Sequence, residues 1–411
     1  MRFNTALLHG DFRGDKKTGA TQTPVYQSSA FEHASAETLE KIFNNKAPGF
    51  SYSRISNPTV DAFERRMTAL EGGIASVSCA SGMAAITNAF TNILRSGDEI
   101  VCSASLYGGS IDLFRDLENF GIKTHYVENN NIEQFEAATN DNTRLYFAET
   151  IGNPRLDVTD IKLLSETAHK AGVPLIVDNT VAKAYLIKPI EYGADIVVNS
   201  TSKYVNGNSN SISGVITDSG NFKWDSVKYP GMKEYAKFGP YAYTAKLRNG
   251  IYRNTGACLS PQNAFYNILG IETLGLRMER ITDNALKLAE YLDTNYSFLN
   301  VNYPGLKSSE FHAIADKELN NGYGGIITIR TGSKENAFKF INALKLPLNV
   351  SNIGDTKTLV IHPGSTISAH STEEEKKIAG VFDDLVRISV GIEDIEDLIE
   401  DFTQAVEFIQ Q

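Results

Sequence analysis

Between about residues 60 and 217, short continuous apolar runs alternate with amphipathic segments. The runs lie near 75–79, 99–102, 122–127, 144–148, 173–178, 195–199 and 212–217. A short run without polar alternation is the pattern of a strand buried on both faces. The segments between, such as Asp160 to Ala171 with Leu163, Leu164 and Ala168, carry helical spacing. Seven strands alternating with helices predict an α/β fold with a mostly parallel seven-stranded sheet. One long helix is expected at about 260–296, with Met278 and Arg280 near its middle. Beyond it GIITIR (325–330), a helix to Leu344, LVI (359–361) and LVRISV (385–390) predict a smaller C-terminal α/β domain.

Two regions break this rhythm. Residues 1–55 have little periodicity but are rich in Tyr, Phe, Thr and Gly, which suits an extended arm packed on another subunit. Residues 218–258 are aromatic and basic (Trp224, Tyr229, Tyr235, Phe238, Tyr241, Tyr243) and read as a connection closing over a cleft. The expected division is an arm at 1–55, a large domain at 56–256 and a small domain at 257–411. No internal repeat is evident.

The net charge of −10 argues against nucleic acid, whose phosphates require a basic surface. The start, MRFNTALLHGDFRG, lacks an apolar signal core, and no stretch of 18 apolar residues occurs, so neither secretion nor membrane spanning is expected. Cys79, Cys102 and Cys258 make no CxxC pair, and the seven histidines show no metal-ligand spacing. The chain reads as cytoplasmic, with buried thiols and no metal site.

The chemistry concentrates around two strand ends. PLIVDNT (174–180) delivers Asp178 to the edge of the sheet; the run 195–199 then delivers Ser200, Ser202 and Lys203. A buried acid with a lysine flanked by hydroxyls matches what pyridoxal phosphate needs. The acid keeps the pyridine nitrogen protonated, the hydroxyls bind phosphate oxygens and the amine forms the Schiff base. A surface lysine and a helix-capping acid would leave the same pattern. Ser81-Gly82-Met83 opens a helix after a strand, giving an anion site or simply a tight turn. Tyr107, before Gly108-Gly109, can lie on a planar cofactor or against a turn. Tyr52 and Arg54, ahead of Asn57-Pro58, can contact a phosphate or solvent. Asn153 can reach a phenolic oxygen or shape the turn at Pro154. Arg387 and Ser389 share one face of their strand, which meets either solvent or a carboxylate-binding pocket whose second wall Ser351-Asn352 would supply.

Nearly the whole chain resembles the cysteine/methionine-metabolism family of pyridoxal-phosphate enzymes, fold type I (aspartate-aminotransferase-like), and within it the O-acetylhomoserine sulfhydrylase branch. The stretches carrying this include GFSYSRISNPTVDAFERRM, ASGMAAI, SLYGGSIDLF, VDNTVAKAYLIKPIEYGADIVVNSTSKY, ETLGLRMER, SNIGDTKTLVIHPGST and VRISVGIED. The resemblance implies that Lys203 is the Schiff-base lysine, Asp178 the partner of the pyridinium nitrogen and Tyr107 the stacking residue. Ser81, Gly82, Met83, Ser200 and Ser202 would bind the phosphate, with Tyr52 and Arg54 reaching the site of a neighbouring subunit. Asn153 would contact the ring, and Arg387, Ser351 and Asn352 the substrate carboxylate. A homotetramer of two catalytic dimers is implied.

The chain departs from that pattern after the lysine. The family reads Gly-His, but here Gly207-Asn208-Ser209-Asn210-Ser211 follows. Ser202 replaces a usual threonine and Gly364 a usual alanine. The expected reaction is γ-replacement on O-acetylhomoserine by sulfide or a small thiol, giving homocysteine or methionine and acetate. Lys203 would be the base and Tyr107 a proton donor near Cγ. The alternatives are γ-elimination, as in methionine or cystathionine γ-lyase, and an inactive ligand-sensing relative, which the Asn208 and Asn210 changes motivate.

Overall fold

In the computed structural model, which describes residues 1–10, 14–15, 18–369 and 371–410, the chain builds two sheets. Among the described residues the larger sheet has seven strands: β1 Ala75–Cys79, β2 Glu99–Ser103, β3 Lys123–Val127, β4 Thr143–Glu149, β5 Leu175–Asp178, β6 Ile196–Asn199 and β7 Gly214–Asp218. They lie in the order β1-β7-β6-β5-β4-β2-β3, so each expected run became a strand. All neighbours are parallel except β7, which runs antiparallel to both β1 and β6. The apolar runs are continuous because both faces are covered. Leu145, Phe147, Ile176 and Ile196 enter one core, while Tyr146, Ala148, Val177 and Val197 enter the other.

The smaller sheet has β8 Ile326–Arg330, β9 Leu348–Asn349, β10 Leu359–Ile361 and β11 Leu385–Ser389, ordered β8-β11-β10-β9. Its core is a third cluster that includes Ile327, Val360, Val386 and Phe402.

Three expectations are revised. Residues 1–55, of which 11–13 and 16–17 lie outside the described residues, contain two helices, α1 Phe3–His9 and α2 Ala36–Phe43. α1 buries Leu7 in the same core as Val60 and Phe63 of α3 (Pro58–Glu71). Seven or eight residues span barely two turns, too few for a period to register. The aromatic segment 218–258 contributes nothing to the wall of the pocket that contains Lys203. Trp224 instead stacks on buried Tyr243, with centroids 5.4 Å apart, packing against the core on one face of the large sheet. Phe238 and Tyr241 border a separate groove of about 890 Å³ between this segment, the arm and α3.

The long helix is in fact two. Of the helices used below, α4 spans Gly82–Thr91, α5 Gly108–Glu118, α6 Ile161–Lys170, α7 Pro261–Glu272 and α8 Leu274–Asn295. The break at Thr273 leaves carbonyls for a buried arginine. Arg277 donates to Gly270 O at 2.7 Å, and also to Tyr204 O at 2.6 Å and Val205 O at 3.2 Å. It thereby clamps the backbone that follows Lys203.

Candidate active site

β4, β5 and β6 end side by side at Glu149, Asp178 and Asn199, the edge where open α/β sheets place their ligands. A pocket of about 200 Å³ opens there. It gathers Ser81, Gly82, Met83, Tyr107, Asn153, Asp178, Ser200, Ser202, Lys203, Ser351, Asn352 and Arg387, which the sequence scatters over 307 positions between 81 and 387 (both ends included). Tyr52 and Arg54 are not among its lining residues. They are exposed, with the Arg54 guanidinium 5.4 Å from the Tyr52 ring centre and donating to Arg253 O at 2.8 Å.

At one end, Asp178 accepts the Thr180 N–H at 2.8 Å, a short Asx-type turn. Burial pushes the Asp178 carboxyl up, opposed by the Thr180 bonds and the cation of Lys183. Glu149 pairs in register with Asp178 and accepts the Tyr107 N–H at 2.6 Å. Burial and the adjacent Asp178 push Glu149 well above the carboxylate range. Two neighbouring acids cannot both ionise cheaply, and of the two only Asp178 has a cation to oppose the effect of burial. That cation, Lys183, is 1% exposed. It donates to Asn199 at 3.0 Å, and Asn199 in turn donates to Glu71 at 2.9 Å. Burial brings Lys183 down to about 8.

At the other end, Ser81 caps α4 by accepting the Ala84 N–H at 3.0 Å. The Ser200 turn lies on that helix N-terminus because residue 82 has no side chain. A Cβ on Gly82 would stand 2.6 Å from Ser200 Cβ. The Ser200 and Ser202 hydroxyls are 2.8 Å apart, and Ser200 N–H donates to Thr180 Oγ1 at 2.7 Å. First-turn amides plus two hydroxyls form an anion cradle.

Between the ends, Lys203 Nζ donates to Asn352 Oδ1 at 2.6 Å. Burial, and next the positive charge of Arg387, bring the Lys203 amine down to about 8. Arg387, 3% exposed, donates to Asn153 Oδ1 and to Asn352 O, both at 3.1 Å. Its buried Nε has no partner among the described residues, so the guanidinium keeps donors for an anion. Tyr107 lies over Gly109, where a Cβ would come within 2.6 Å of its ring.

These features fit pyridoxal phosphate: an acid for a ring nitrogen, an anion cradle, an amine and an aromatic face. Asn153 lines the pocket with its Oδ1 taken by Arg387. Asn352 lines the same pocket and turns its Oδ1 to Lys203. Three residues escaped sequence reasoning: Glu149, Thr180 and Lys183. Glu149 had a signal, since it ends β4 as Asp178 ends β5. Thr180 had one in the Asp-x-Thr spacing, and Lys183 had none. Among the described residues no His/Cys/Asp/Glu group could hold a metal, the three cysteines are free, and no helix is long and apolar enough to cross a membrane.

A strand-edge pocket with this lysine, acid and anion cradle defines a fold type I pyridoxal-phosphate enzyme. The chain belongs to the family described as Cys/Met metabolism PLP-dependent enzymes, whose model matches residues 4–407, and pyridoxal phosphate is its cofactor. It is 43% identical over 417 residues to an O-acetyl-L-homoserine sulfhydrylase of Corynebacterium glutamicum, covering 97% of this chain and 95% of the relative. A crystal structure from Campylobacter jejuni, assigned as an O-acetylhomoserine (thiol)-lyase and carrying a pyridoxyl-lysine monophosphate, superposes with a TM-score of 0.96 at 32% identity, covering 99% of this chain and 100% of that one. Cystathionine γ-lyase of Lactobacillus plantarum, in complex with L-serine, gives 0.88 at 30% identity, with both chains fully covered.

Proposed function

We propose that the protein catalyses γ-replacement on O-acetylhomoserine with sulfide or a small thiol, yielding homocysteine or methionine and acetate, in methionine and cysteine biosynthesis. The observation that carries this reading is full-length similarity to a sulfhydrylase at 43% identity. A pocket with Lys203, Asp178, Tyr107 and Arg387 together supports it.

Pyridoxal phosphate, when bound, supplies the sink for electrons left behind as protons leave Cα and Cβ. The chain's own residues do the rest. Ser81, Gly82, Met83, Ser200 and Ser202 would hold the phosphate, and Asp178 would keep the ring nitrogen protonated. Arg387 would take the substrate carboxylate through its spare donors, with Ser351 beside it, so that the Cα–H bond is correctly aimed. Lys203, whose amine burial and then Arg387 bring down to about 8, would take that proton as a base and return it. Tyr107 would hold or move a proton near Cγ as acetate leaves and sulfur adds.

The test is a substrate panel of O-acetylhomoserine, O-succinylhomoserine, O-acetylserine, cystathionine and methionine, each with and without sulfide. Sulfide-dependent homocysteine from the first is expected. The second reading, γ-elimination, is favoured by the similarity to cystathionine γ-lyase. An α-keto acid from cystathionine or methionine without sulfide would establish it instead.

We also infer a cytoplasmic homotetramer of catalytic dimers, in which the exposed Tyr52 and Arg54 complete a neighbour's phosphate site. Inactive R54A and K203A subunits, dissociated and reassembled together, should regain part of the activity. No recovery would place both residues in one subunit's site.

A further inference from the structure

The loop after Lys203 is interlocked with the loop after β9. Asn206 accepts the Asn208 N–H at 3.1 Å and donates to Asn210 at 2.8 Å. Thr356 N–H donates to Gly207 O at 2.9 Å. This bracing holds Ser209 at φ +54°, an unusual backbone for a residue with a side chain. Its hydroxyl meets buried Asp355 and also Asn352, whose Nδ2 lies 2.9 Å away. Asn352 in turn touches Lys203 through Oδ1 at 2.6 Å and Arg387 through its carbonyl at 3.1 Å.

The polarity of this chain of bonds follows from its far end. Burial works against the Asp355 charge, but the Ser209 hydroxyl and Lys357 hold its carboxyl below the usual range. A carboxylate only accepts. Ser209 must therefore give its one proton to Asp355, leaving its oxygen to accept from Asn352. The amide nitrogen of Asn352 then points to Ser209 and the amide oxygen to Lys203.

Resting on the reading of Lys203 as the reacting amine, we propose that Ser209 is a positioning residue: through Asn352 it sets where the Lys203 amine sits whenever that amine is free of the cofactor. An oxygen facing Lys203 favours the proton-bearing amine. A released Asn352 can turn its NH₂ group to the lysine, with the opposite effect. The other charged or titratable groups around Lys203 are Arg387 of β11, Tyr107, Glu149 and Asp178 of the large-sheet side, and Lys183 beneath them.

The test uses the full-length protein freed of cofactor. Lys203 is labelled with trace acetic anhydride across pH 6–11, and acetylation at that residue is read by mass spectrometry. S209A and D355N should each move the labelling inflection to lower pH, by half a unit or more. S209T should stay with wild type. D355N changes no side-chain volume and lets residue 355 donate, so it tests bond polarity even if S209A folds poorly. A wild-type inflection in D355N, or in a folded S209A, overturns the proposal, whatever happens to cofactor affinity. The labelling involves no substrate, so it stands apart from the choice of acyl donor. Borohydride reduction of the loaded enzyme checks separately that Lys203 is the residue bonded to the cofactor.

Discussion

On the wall of the pocket carrying Asp178 and Ser200 each of these two residues is fixed by a bond two positions long, whereas on the facing wall Lys203 and Arg387 are fixed by bonds 149 and 234 positions long. On the near wall, Asp178 is pinned by Thr180 two residues on, and Ser200 by Ser202 two residues on. On the far wall, Arg387 is oriented by Asn153, and Lys203 by Asn352. The near wall is a property of strand ends and turns. The far wall exists only once both sheets are in place. The near wall should therefore govern what the pocket binds permanently, and the far wall how a transient substrate is aimed.

Lys203 touches both walls, and its loss should have the largest effect. K203A should lower turnover on the order of 10⁴-fold while keeping its circular dichroism, with no cofactor mass trapped by borohydride. D178N should break the near wall alone. It should cost about 10²-fold in kcat and weaken cofactor affinity, measured by equilibrium dialysis, because a neutral amide cannot hold a protonated ring nitrogen. R387K should break the far wall alone. It should raise KM for the acyl amino acid about 10- to 100-fold, as one charged forked contact is lost, and leave cofactor affinity within about twofold. An R387K variant that loses cofactor as readily as D178N would erase the distinction between the walls.

The smallest effect concerns pH. Lys203 takes a proton only when neutral, and burial with Arg387 lowers it to about 8. Below that value the amine is protonated, so the rate should climb with pH and level off above about 8. R387Q removes the nearby cation, so the amine should hold its proton more tightly and the rising limb should move to higher pH. A limb unmoved in R387Q would detach the two residues electrostatically.

The same contrast explains what could be read in advance. The seven strands and their shared edge were legible because a strand buried on both faces is a continuous apolar run. Asp178, Ser200 and Lys203 were legible because they stand at the ends of such runs. Arg277 was not, since nothing local says that a helix breaks at Thr273 to let a guanidinium collect carbonyls from Tyr204 and Val205. Lys183 carries no local signal, and only the tertiary fold buries it beside Asn199. Asn153 and Asn352 were found, but their partners were not. Which of several acceptors an amide takes depends on chain segments far away in sequence.

Thr180 ties one end of the pocket to the other: its N–H reaches Asp178 and its hydroxyl receives Ser200. One residue thus acts as a ruler between the carboxylate and the anion cradle. A vitamin B6 analogue with an arm one methylene longer would have to let go of one mark or the other.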